Sequence, residues 1–546
     1  MKRYLSYTKA LLITFFYSST ILYAQTNTWA LISNSDSVGS VYGKKDIAAK
    51  GNIPRARFDC VSWSDDSCNL WLFGGANNSI ENAEVFSELW KFNIKNGEWT
   101  WVGGIDSVNQ GQYGVQGAPS TTNIPRSREG AASWTDNNGN FWLFGGSGFY
   151  EVDSGGVYSG GSNYLNDLWK YESKSNEWTW VGGSNLINGA AEYGSKSIAK
   201  AGNIPGGRTG SVNWKDSNGN LWLYGGFGYD VNHSYGFLSD LWMYDINNGL
   251  WTWKNGSDKG DQPLTYLTVG VPNAANTPGN RVGSVAWVDN NSNLWMYGGG
   301  HTSYTRGNNA INDLWVYNIT TNQWTILNAP DSIYANGNYG TMGIAAPSNN
   351  PGARVYSAGW VDDEYNFWLF GGYGTSSYYS GFLNDLWKYN ISINEWTWVN
   401  GPDTLNNFGS SSTPSARELA TSFVDSDGNF WLYGGTSSYL GGVLGDLWKY
   451  TNCSSDCKCS VDSNSNFSIP PSPLLLYPNP NDGQFIIELP LACQVTIYTT
   501  LGVTLVNEFM QKGKQPINLS TTSSAMYYLK ALNSNNKQQV IKFVID

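Results

Sequence analysis

The sequence predicts an all-β protein built mainly from six similar sheets, and three observations favour this class. A short apolar run that ends in a glycine pair occurs six times, as NLWLFGG, NFWLFGG, NLWLYGG, NLWMYGG, NFWLFGG and NFWLYGG. Gly (63) and Trp (27) are abundant while charged residues make up only 14%, a composition typical of turn-rich sheets with aromatic cores. Strand-like segments surround every run in the same order, which indicates a repeat architecture.

Each repeat unit contains four predicted strands, which the second unit illustrates. Arg128 begins the first strand, and a polar turn from Asp136 to Gly139 leads into the apolar second strand. The third strand reads NDLWKY from Asn166, and the fourth reads EWTWV from Glu177. The second strand is apolar without alternation, which predicts that both of its faces are covered. Four strands joined by hairpin turns predict one antiparallel sheet in each unit.

The two ends of the repeat region predict how the sheets are arranged. The sixth unit stops after its third strand at Tyr450, and an orphan strand of the fourth type, TNTWALIS, begins at Thr26 before the first unit. We expect this N-terminal strand to complete the last sheet and close a ring, which leaves no open end of the array exposed. The predicted fold is a six-bladed β-propeller closed by an N-terminal strand.

The order of strands resembles the kelch repeat. The shared features are an Arg-led strand, a strand ending in Gly-Gly, a strand with Leu-Trp-x-Tyr and a strand with Trp, and they cover most of 25–452. The resemblance implies a six-bladed kelch propeller of the galactose-oxidase-like superfamily over 25–452. It says little about function, because kelch propellers include both enzymes and pure binding modules.

The N-terminus carries the features of a secretory signal peptide. Lys2 and Arg3 precede a mainly apolar segment from Ala10 to Tyr23, and Ala24 offers a small residue for cleavage. We therefore assign 1–24 to a signal peptide. No later segment is long and apolar enough to span a bilayer, so no transmembrane segment is expected in the mature chain.

The composition changes after a Cys/Ser/Pro-rich linker at 453–473, and 474–546 is predicted to form a small C-terminal β-sandwich from alternating short strands. This tail resembles the type A C-terminal sorting domain of the Bacteroidetes type IX secretion system. Its opening motif is matched by Tyr477, Pro478, Asn479, Pro480 and Gly483. The resemblance implies a partnership with the type IX secretion machinery, removal of the tail near the linker, and a protein that is secreted or attached to the outer-membrane surface. An ordinary accessory β domain is the alternative.

Charge excludes one class of partner. The net charge is −11 and no Lys/Arg-rich run occurs, so binding to nucleic acid is not expected. The same balance disfavours anionic membrane surfaces.

The long loops are the predicted binding surface. In a four-stranded blade the second turn and the crossing to the next blade lie at the same end, and both are long in this chain. Their aromatic residues suit flat contacts with a glycan or a protein. The candidate ligand-binding residues are Tyr150, Tyr158, Tyr229, Tyr235, Tyr304, Tyr378 and Tyr379. The alternative is that these rings pack against each other to hold the loops still.

One arginine per unit is a second candidate set. The residues are Arg57, Arg128, Arg208, Arg281, Arg354 and Arg417, which begin the inner strands and are predicted to surround the channel mouth. Six guanidinium groups could bind a carboxylate ligand. The alternative is an ion pair within each blade, since every unit also carries one acid at the start of its third strand, namely Glu88, Asp167, Asp240, Asp313, Asp385 and Asp446.

No catalytic residue, metal site or cofactor is predicted. A galactose-oxidase-like copper site needs two His, two Tyr and a Cys, and the only His residues, His233 and His301, lie in different units. The Asx-rich first turns lack the ligand count of calcium loops, and the cluster Cys453, Cys457 and Cys459 has no His beside it for zinc. Asp-Ser/Thr-apolar triplets such as that at Asp106 are similar to Bacteroidetes O-glycosylation acceptors, although repeat descent explains them equally well.

The sequence thus predicts a secreted or cell-surface kelch propeller that acts as a binding module for glycan or protein. The alternative function is a metal-free carbohydrate-active enzyme of epimerase or lyase type on the same propeller. An enzyme is expected to break the sixfold equivalence with a few polar side chains in one pocket.

Overall fold

The computed structural model describes 28–34, 40–79, 82–105, 109–148, 163–301, 309–329, 333–376, 379–410, 412–437, 442–452, 475–477, 484–489, 493–499, 503–519, 525–533 and 538–545. Every helix or strand within these ranges is a β-strand, so the all-β prediction is confirmed.

The strands of the repeat region are numbered β1 to β35 in chain order. The first two units contain β1 (Trp29–Ser33), β2 (Val61–Asp65), β3 (Asn69–Phe73), β4 (Ala76–Ser79), β5 (Asn82–Val85), β6 (Leu89–Asn93), β7 (Glu98–Gly103), β8 (Arg128–Glu129), β9 (Ala132–Thr135), β10 (Phe141–Phe144), β11 (Ser147–Gly148), β12 (Leu168–Glu172) and β13 (Glu177–Gly182). The next two contain β14 (Arg208–Thr209), β15 (Val212–Lys215), β16 (Leu221–Tyr224), β17 (Phe227–Tyr229), β18 (Tyr235–Phe237), β19 (Leu241–Asp245), β20 (Leu250–Asn255), β21 (Val285–Val288), β22 (Leu294–Tyr297), β23 (Leu314–Asn318) and β24 (Gln323–Asn328). The last two contain β25 (Ala345–Ala346), β26 (Arg354–Val355), β27 (Ala358–Val361), β28 (Phe367–Ser376), β29 (Tyr379–Asn390), β30 (Glu395–Asn400), β31 (Thr421–Val424), β32 (Phe430–Tyr433), β33 (Thr436–Ser437), β34 (Gly442–Val443) and β35 (Leu447–Tyr450).

Six groups of four antiparallel strands, which we call blades, account for the repeats within the described residues. From inner to outer strand they are blade 1 (β2-β3-β6-β7), blade 2 (β9-β10-β12-β13), blade 3 (β15-β16-β19-β20), blade 4 (β21-β22-β23-β24), blade 5 (β27-β28-β29-β30) and blade 6 (β31-β32-β35-β1). The short extra strands pair mainly within the second turns, where β4 pairs with β5, β17 with β18, and β33 with β34.

The hydrophobic core lies between the blades. Each of six clusters of buried apolar residues combines side chains of two neighbouring blades, because both faces of a second strand are covered. All four residues of β10 are buried, which confirms the interpretation of the unbroken apolar run. One cluster joins Phe92 of blade 1 to Trp431 of blade 6, so the first and last blades are also neighbours. The blades therefore follow each other around a closed ring.

The glycine pair ends each second strand where backbones crowd together. Gly145 and Gly146 have φ of 67° and 99°, in the region that disfavours other residues. A Cβ atom at Gly146 would lie 2.7 Å from the carbonyl oxygen of Glu129. The pair is thus required both by the backbone turn and by the neighbouring chain.

The outer strand of blade 6 comes from the start of the repeat region. β1 pairs antiparallel with β35, and Trp29 lies opposite Tyr450. The Trp29 side chain is buried and its ring contacts those of Trp360, Phe370 and Tyr450. Trp29 therefore packs blade 6 against blade 5, and it also packs β1 against β35, the third strand of blade 6.

The outer strand of blade 6 does not follow its third strand in the chain, and this affects the hydrogen bonding of one buried tyrosine hydroxyl. In three other blades the corresponding tyrosine hydroxyl donates to an asparagine in the turn before the outer strand, in the pairs Tyr171–Asn176, Tyr317–Asn322 and Tyr389–Asn394. Blade 6 has no such turn, because β35 and β1 are not consecutive. The buried Tyr450 hydroxyl has no hydrogen-bond partner among the described residues, and burial raises the pKa of Tyr450 to about 12.

The C-terminal segment forms two facing sheets. Its strands are β36 (Leu475–Tyr477), β37 (Gln484–Leu489), β38 (Cys493–Thr499), β39 (Thr504–Met510), β40 (Gly513–Asn518), β41 (Ala525–Asn533) and β42 (Gln538–Ile545). One sheet has the order β36-β37-β40 and the other β39-β38-β41-β42. Residues of both sheets, such as Ile487 and Leu529, share one buried cluster, as expected for a small sandwich.

The cysteines of the described residues differ in their pairing. Cys60 and Cys493 are free thiols, whereas Cys68 is disulfide-bonded, so Cys60 and Cys68 do not pair with each other. The predicted cluster at Cys453, Cys457 and Cys459 lies outside the described residues.

Over the described ranges we find no helix with the length and apolarity needed to cross a membrane.

Truncation of Trp29 tests the joint between β1 and blade 6. Trp29→Ala removes a buried indole with three ring contacts, and we expect the free energy of unfolding to fall by about 3–5 kcal/mol. The neighbouring Ala30 is exposed, so Ala30→Ser is the matched control and should change stability by less than about 0.5 kcal/mol. Calorimetry or denaturant titration measures both. Equal stabilities of the two variants would contradict the pairing of β1 with β35.

Candidate functional site

Each inner strand is preceded or begun by a buried arginine that pairs with an acid of its own blade. In blade 2, Nη1 and Nη2 of Arg128 donate to Oδ1 and Oδ2 of Asp167, both at 2.7 Å. The same ion pair occurs in every blade, as Arg57–Glu88, Arg128–Asp167, Arg208–Asp240, Arg281–Asp313, Arg354–Asp385 and Arg417–Asp446. These side chains are at most 8% exposed. The contacts agree with the ion-pair alternative, and ligand binding by the same arginines stays a prediction.

Further donors complete the surroundings of the acid. The hydroxyl of Tyr113, from the crossing segment, and the indole Nε1 of Trp169 both donate to Asp167 Oδ2 at 2.7 Å. Burial by itself would raise the pKa of Asp167, but the charge of Arg128 and these hydrogen bonds hold it below its usual range. Sequence analysis missed the tyrosine, although Tyr42, Tyr113, Tyr193, Tyr266 and Tyr339 all stand fifteen residues before the arginine of their unit.

Blade 4 departs from this pattern. Arg281 contacts Asp313 through Nη2 only, and its Nε and Nη1 have no hydrogen-bond partner within the described part of the chain. No tyrosine hydroxyl of the described residues donates to Asp313. The effect of burial is therefore larger than that of the Arg281 charge, and the pKa of Asp313 is raised. The six equivalent pairs are thus not electrostatically equivalent.

A closed ring of backbone hydrogen bonds surrounds the axis. It is formed by the residues two positions after each arginine, and every member has φ between 53° and 65°. The N–H of each member donates to the carbonyl of the next at 2.7 to 3.2 Å, in the order Asp59, Leu419, Tyr356, Gly283, Gly210, Gly130 and back to Asp59. Because the donors and acceptors form a complete circuit, no member of this axial ring has a free N–H or C=O group directed at its neighbour.

Side chains break the symmetry of the axial ring. Three consecutive blades contribute glycine, whereas blades 5, 6 and 1 contribute Tyr356, Leu419 and Asp59. A Cβ atom at Gly130 would lie 2.2 Å from Thr209 Oγ1, so a larger residue does not fit there. A channel of about 200 Å³ adjoins the ring and is lined largely by small polar residues of the inner strands. Among the described residues that line the channel, Cys60 carries the one thiol. Burial raises the pKa of this thiol to about 12.

Two carboxyl groups at this end of the channel have unusual proton affinity. Burial raises the pKa of Asp59 to about 7. Burial and the nearby charge of Asp59 raise the pKa of Glu129 to about 8. Both side chains are only partly exposed, and no arginine of the described ranges forms an ion pair with either of them. Sequence analysis did not single them out, because Asp59 and Glu129 belong to different units and have no acidic equivalents in most other blades.

The second turn of blade 3 carries an aromatic hairpin. β17 and β18 place Tyr229 opposite Tyr235, and the first of these strands also pairs with β14 beside Arg208. The Tyr235 side chain is 69% exposed. The Tyr229 ring stacks on that of His233 with centroids 4.5 Å apart. Two predicted ligand-binding residues therefore lie side by side on one hairpin.

The hairpin is held rigidly at its tip. Oδ1 of Asp230 accepts hydrogen bonds from the backbone N–H groups of Asn232 and Ser234, and Oδ2 accepts from that of Gly260. The base of the hairpin is packed by Phe227, whose ring contacts that of Tyr164 from blade 2. The exposed Tyr235 and the half-buried Tyr229 are thus carried by a hairpin that is hydrogen-bonded at its tip and packed at its base.

Most of the other predicted site residues lie outside the described ranges. Tyr150, Tyr158, Tyr304 and Tyr378 lie outside the described residues, and Tyr379 begins β29. Of the sorting motif, Tyr477 ends β36, while Pro478, Asn479, Pro480 and Gly483 lie outside the described residues. His301 lies near Arg281, apart from His233, and burial and the Arg281 charge lower its pKa. Among the described residues no three His, Cys, Asp or Glu side chains gather as metal ligands.

The first turns use their aspartates internally. Oδ1 of Asp136 accepts from the backbone N–H groups of Asn138 and Asn140, and Oδ2 accepts from the Asn140 amide and the Trp142 indole, all at 2.9 Å. Equivalent bonds occur at Asp65, Asp216, Asp289, Asp362 and Asp425. These are closed Asx-turns of the kind expected in hairpins.

Removing the Asp59 charge should change how stability depends on pH. The unfolded Asp59 loses its proton near pH 4, whereas the folded one retains it to about pH 7. Stability from this group is therefore present at low pH and is lost as pH rises from about 4 to 7. We expect Asp59→Asn to be more stable than the wild type by roughly 1–3 kcal/mol at pH 8 and equally stable near pH 4.

The exposed carboxylate of Asp363, in a first turn of blade 5, provides the matched control. Unfolding free energies of Asp59→Asn, Asp363→Asn and the wild type are measured between pH 4 and pH 8. A wild-type profile that parallels that of Asp59→Asn would contradict the raised pKa.

Comparison with known proteins agrees with this architecture. Residues 271–456 match the KLHDC2/KLHL20/DRC7 Kelch-repeats domain, and residues 475–546 match the Secretion system C-terminal sorting domain. Kelch domain-containing protein 10 of Xenopus tropicalis is 25% identical over 274 residues, which are 42% of this chain and 60% of that protein. The chain thus spans less than two thirds of this relative.

A solved structure described as "Structure of YjhT" is also similar. It is 15% identical, covers 72% of this chain and 95% of its own, and superposes with a TM-score of 0.44. The family matches by themselves show that the chain carries kelch repeats and a type IX secretion C-terminal sorting domain.

Proposed function

We propose that this secreted kelch protein is an interaction module that binds a glycan or a protein through its loop face. The polar groups that recur in every blade are engaged inside the fold, since the arginines bind acids and the first-turn aspartates close their own turns. Residues free to meet a ligand are therefore the ones that differ between blades. These lie in the second turns, on a rigid scaffold, where binding sites are commonly found.

The observation that carries the proposal is the aromatic hairpin of blade 3. Tyr235 exposes a large flat ring beside the stacked pair Tyr229 and His233. Exposed tyrosines provide apolar contact area and a hydroxyl at little cost in conformational entropy, which suits the faces of sugar rings and protein surfaces. The Asp230 hydrogen bonds fix the hairpin before any ligand arrives, so binding would lose little freedom there.

The second candidate function is a metal-free carbohydrate-active enzyme of epimerase or lyase type. It is favoured by Asp59 and Glu129, whose pKa values near neutrality suit proton transfer at physiological pH. They also lie where the side chains of the axial ring break the sixfold symmetry. A screen of sugar substrates with the purified protein, repeated with Asp59→Asn, separates this function from pure binding, because only an enzyme would form product.

We further propose that the mature protein lacks both ends of the chain. Cleavage after Ala24 and loss of the tail near 453–473 follow from the signal-peptide and sorting-domain assignments. The intact mass of the protein recovered from the cell surface or medium tests this, and a mass that includes either end would refute that part of the proposal. Added mass on the cleaved protein would also reveal glycosylation at triplets such as that at Asp106.

Substitution of Tyr235 tests the binding surface. Glycan-array and surface-protein binding of the purified protein identifies a ligand, and we expect Tyr235→Ala and Tyr229→Ala to weaken that binding by tenfold or more. Tyr365 is 45% exposed in a first turn on the opposite end of blade 5, so Tyr365→Ala is the control with unchanged affinity. If the Tyr235 and Tyr365 variants bind alike, the ligand does not contact this hairpin.

A further inference from the structure

In five blades the crossing segment covers the outer edge of the sheet. We call this segment the edge cap. It runs from an aromatic residue to an asparagine ten positions later, as Tyr42–Asn52, Tyr113–Asn123, Tyr193–Asn203, Tyr266–Asn276 and Tyr339–Asn349. Sequence analysis assigned the length of these crossings to the loop face. The structure uses much of it to pair with the outer strand instead.

The edge cap repeats the same hydrogen bonds from blade to blade. The N–H of the residue four positions after the aromatic donates to an outer-strand carbonyl at 2.7 to 2.9 Å, in the pairs Asp46–Trp101, Gly117–Trp180, Ser197–Trp253, Gly270–Ile326 and Gly343–Trp398. The asparagine Nδ2 donates to a second carbonyl two residues earlier, in the pairs Asn52–Trp99, Asn123–Trp178, Asn203–Trp251, Asn276–Trp324 and Asn349–Trp396. In blade 5 the cap includes β25, which pairs antiparallel with β30.

In the part of the chain that the structure describes, blade 6 has no such cap. Phe408 occupies the aromatic position, but the asparagine position follows after four residues instead of ten and is held by Ser412. The shorter loop bonds to itself, between Ser410 and Thr413, and none of its described residues bonds to the outer strand. The segment is six residues shorter than in the other blades, and the missing length corresponds to the part that pairs with the sheet there.

Within the described residues, the strand without a cap is β1. Its pairing with β35 has the register of β7 with β6, so Trp29 and Leu31 hold the positions of Trp99 and Trp101. In blade 1 the carbonyls at these positions accept the bonds of the cap. In blade 6 no donor among the described residues bonds to the outward carbonyls of Trp29 and Leu31. Backbone groups of this kind at a sheet edge form a template for a further strand.

We propose that the free edge of β1 binds an extended polypeptide segment of a protein partner, which completes blade 6 as its edge cap. The outward groups of Trp29 and Leu31 are spaced two residues apart, which matches the N–H and C=O groups of another strand. A sugar has no ladder of groups with this spacing. The five internal caps show the chemistry that fits this edge, namely a stretch that carries no charged residue in three caps and a net charge of +2 in the other two, and that pairs antiparallel with the outer strand in blade 5.

The partner needs to supply only what blade 6 lost. Phe408 already provides the aromatic residue, so a segment of about six residues is sufficient. This site is distinct from the aromatic hairpin of blade 3, because it lies on the outer edge of another blade and uses backbone groups. The inference therefore stands whether or not the loop face binds a glycan.

A chimaera that fills the gap in cis tests the inference. In the capped variant, Ser410–Ser412 are replaced by the sequence of Thr341–Asn349 from blade 5. The control variant receives a Gly/Ser stretch of the same length. The probe is a labelled synthetic peptide with the sequence of Tyr339–Pro351, titrated against the full chain by fluorescence anisotropy.

We expect the wild type and the Gly/Ser control to bind the peptide, and the capped variant to bind at least tenfold more weakly. Hydrogen exchange should show fast exchange at the Trp29 and Leu31 amides in the free wild type, with protection in the capped variant and in the peptide complex. No peptide binding by the wild type, equal binding by all three proteins, or protected Trp29 and Leu31 amides in the free wild type would each overturn the inference.

Discussion

The whole repeat region depends on closing a circle of backbone hydrogen bonds around the axis. In each blade the carbonyl of the arginine accepts the N–H of the second glycine of the preceding pair, and the last of these bonds runs from Gly435 to Arg57. Two residues later the axial ring repeats the circuit. Each inner strand is thereby fixed to both neighbours, and the two circuits are complete only if blade 6 meets blade 1. The position of every loop follows from this closure.

The buried ion pairs act within that frame to set the geometry of each blade. A buried charge is costly unless it is fully paired, and Asp167 reaches this condition with four donor atoms from Arg128, Tyr113 and Trp169. Because these donors come from the inner strand, the crossing segment and the third strand, one carboxylate ties three parts of a blade together. Arg281 and Asp313 show the consequence of an incomplete set, since the pKa of Asp313 is raised there.

Much of this arrangement could be predicted from the sequence, because it repeats. Six copies of the glycine-pair strand, one arginine and one acid per unit, and the orphan strand before the first unit were sufficient for the blades and for the ion pairs. Other features depend on contacts that no repeat reveals. The pKa of Asp59, for example, reflects its burial at the axis. The tyrosine that donates to Asp167 does recur in five units, but its position fifteen residues before the arginine does not show which acid it contacts. The edge cap was missed because its bonds are made by the backbone, which leaves only Asn123 and its equivalents as a signal.

The functional sites that we propose lie where the sixfold symmetry is broken. The hairpin at Tyr235 occurs in one blade only, and the same holds, among the described residues, for the missing edge cap beside β1. The carboxyl pair Asp59 and Glu129 occurs once, between blades 1 and 2. The most direct test of the closure that positions them is hydrogen exchange at the six amides of the axial ring in the native protein. We expect all six amides to exchange slowly and at similar rates, through unfolding of the ring as a unit. The Asp59 N–H donates to the Leu419 carbonyl across the junction of blades 6 and 1. Fast exchange at Asp59 with slow exchange at the other members would show that this junction is open and would contradict the closure.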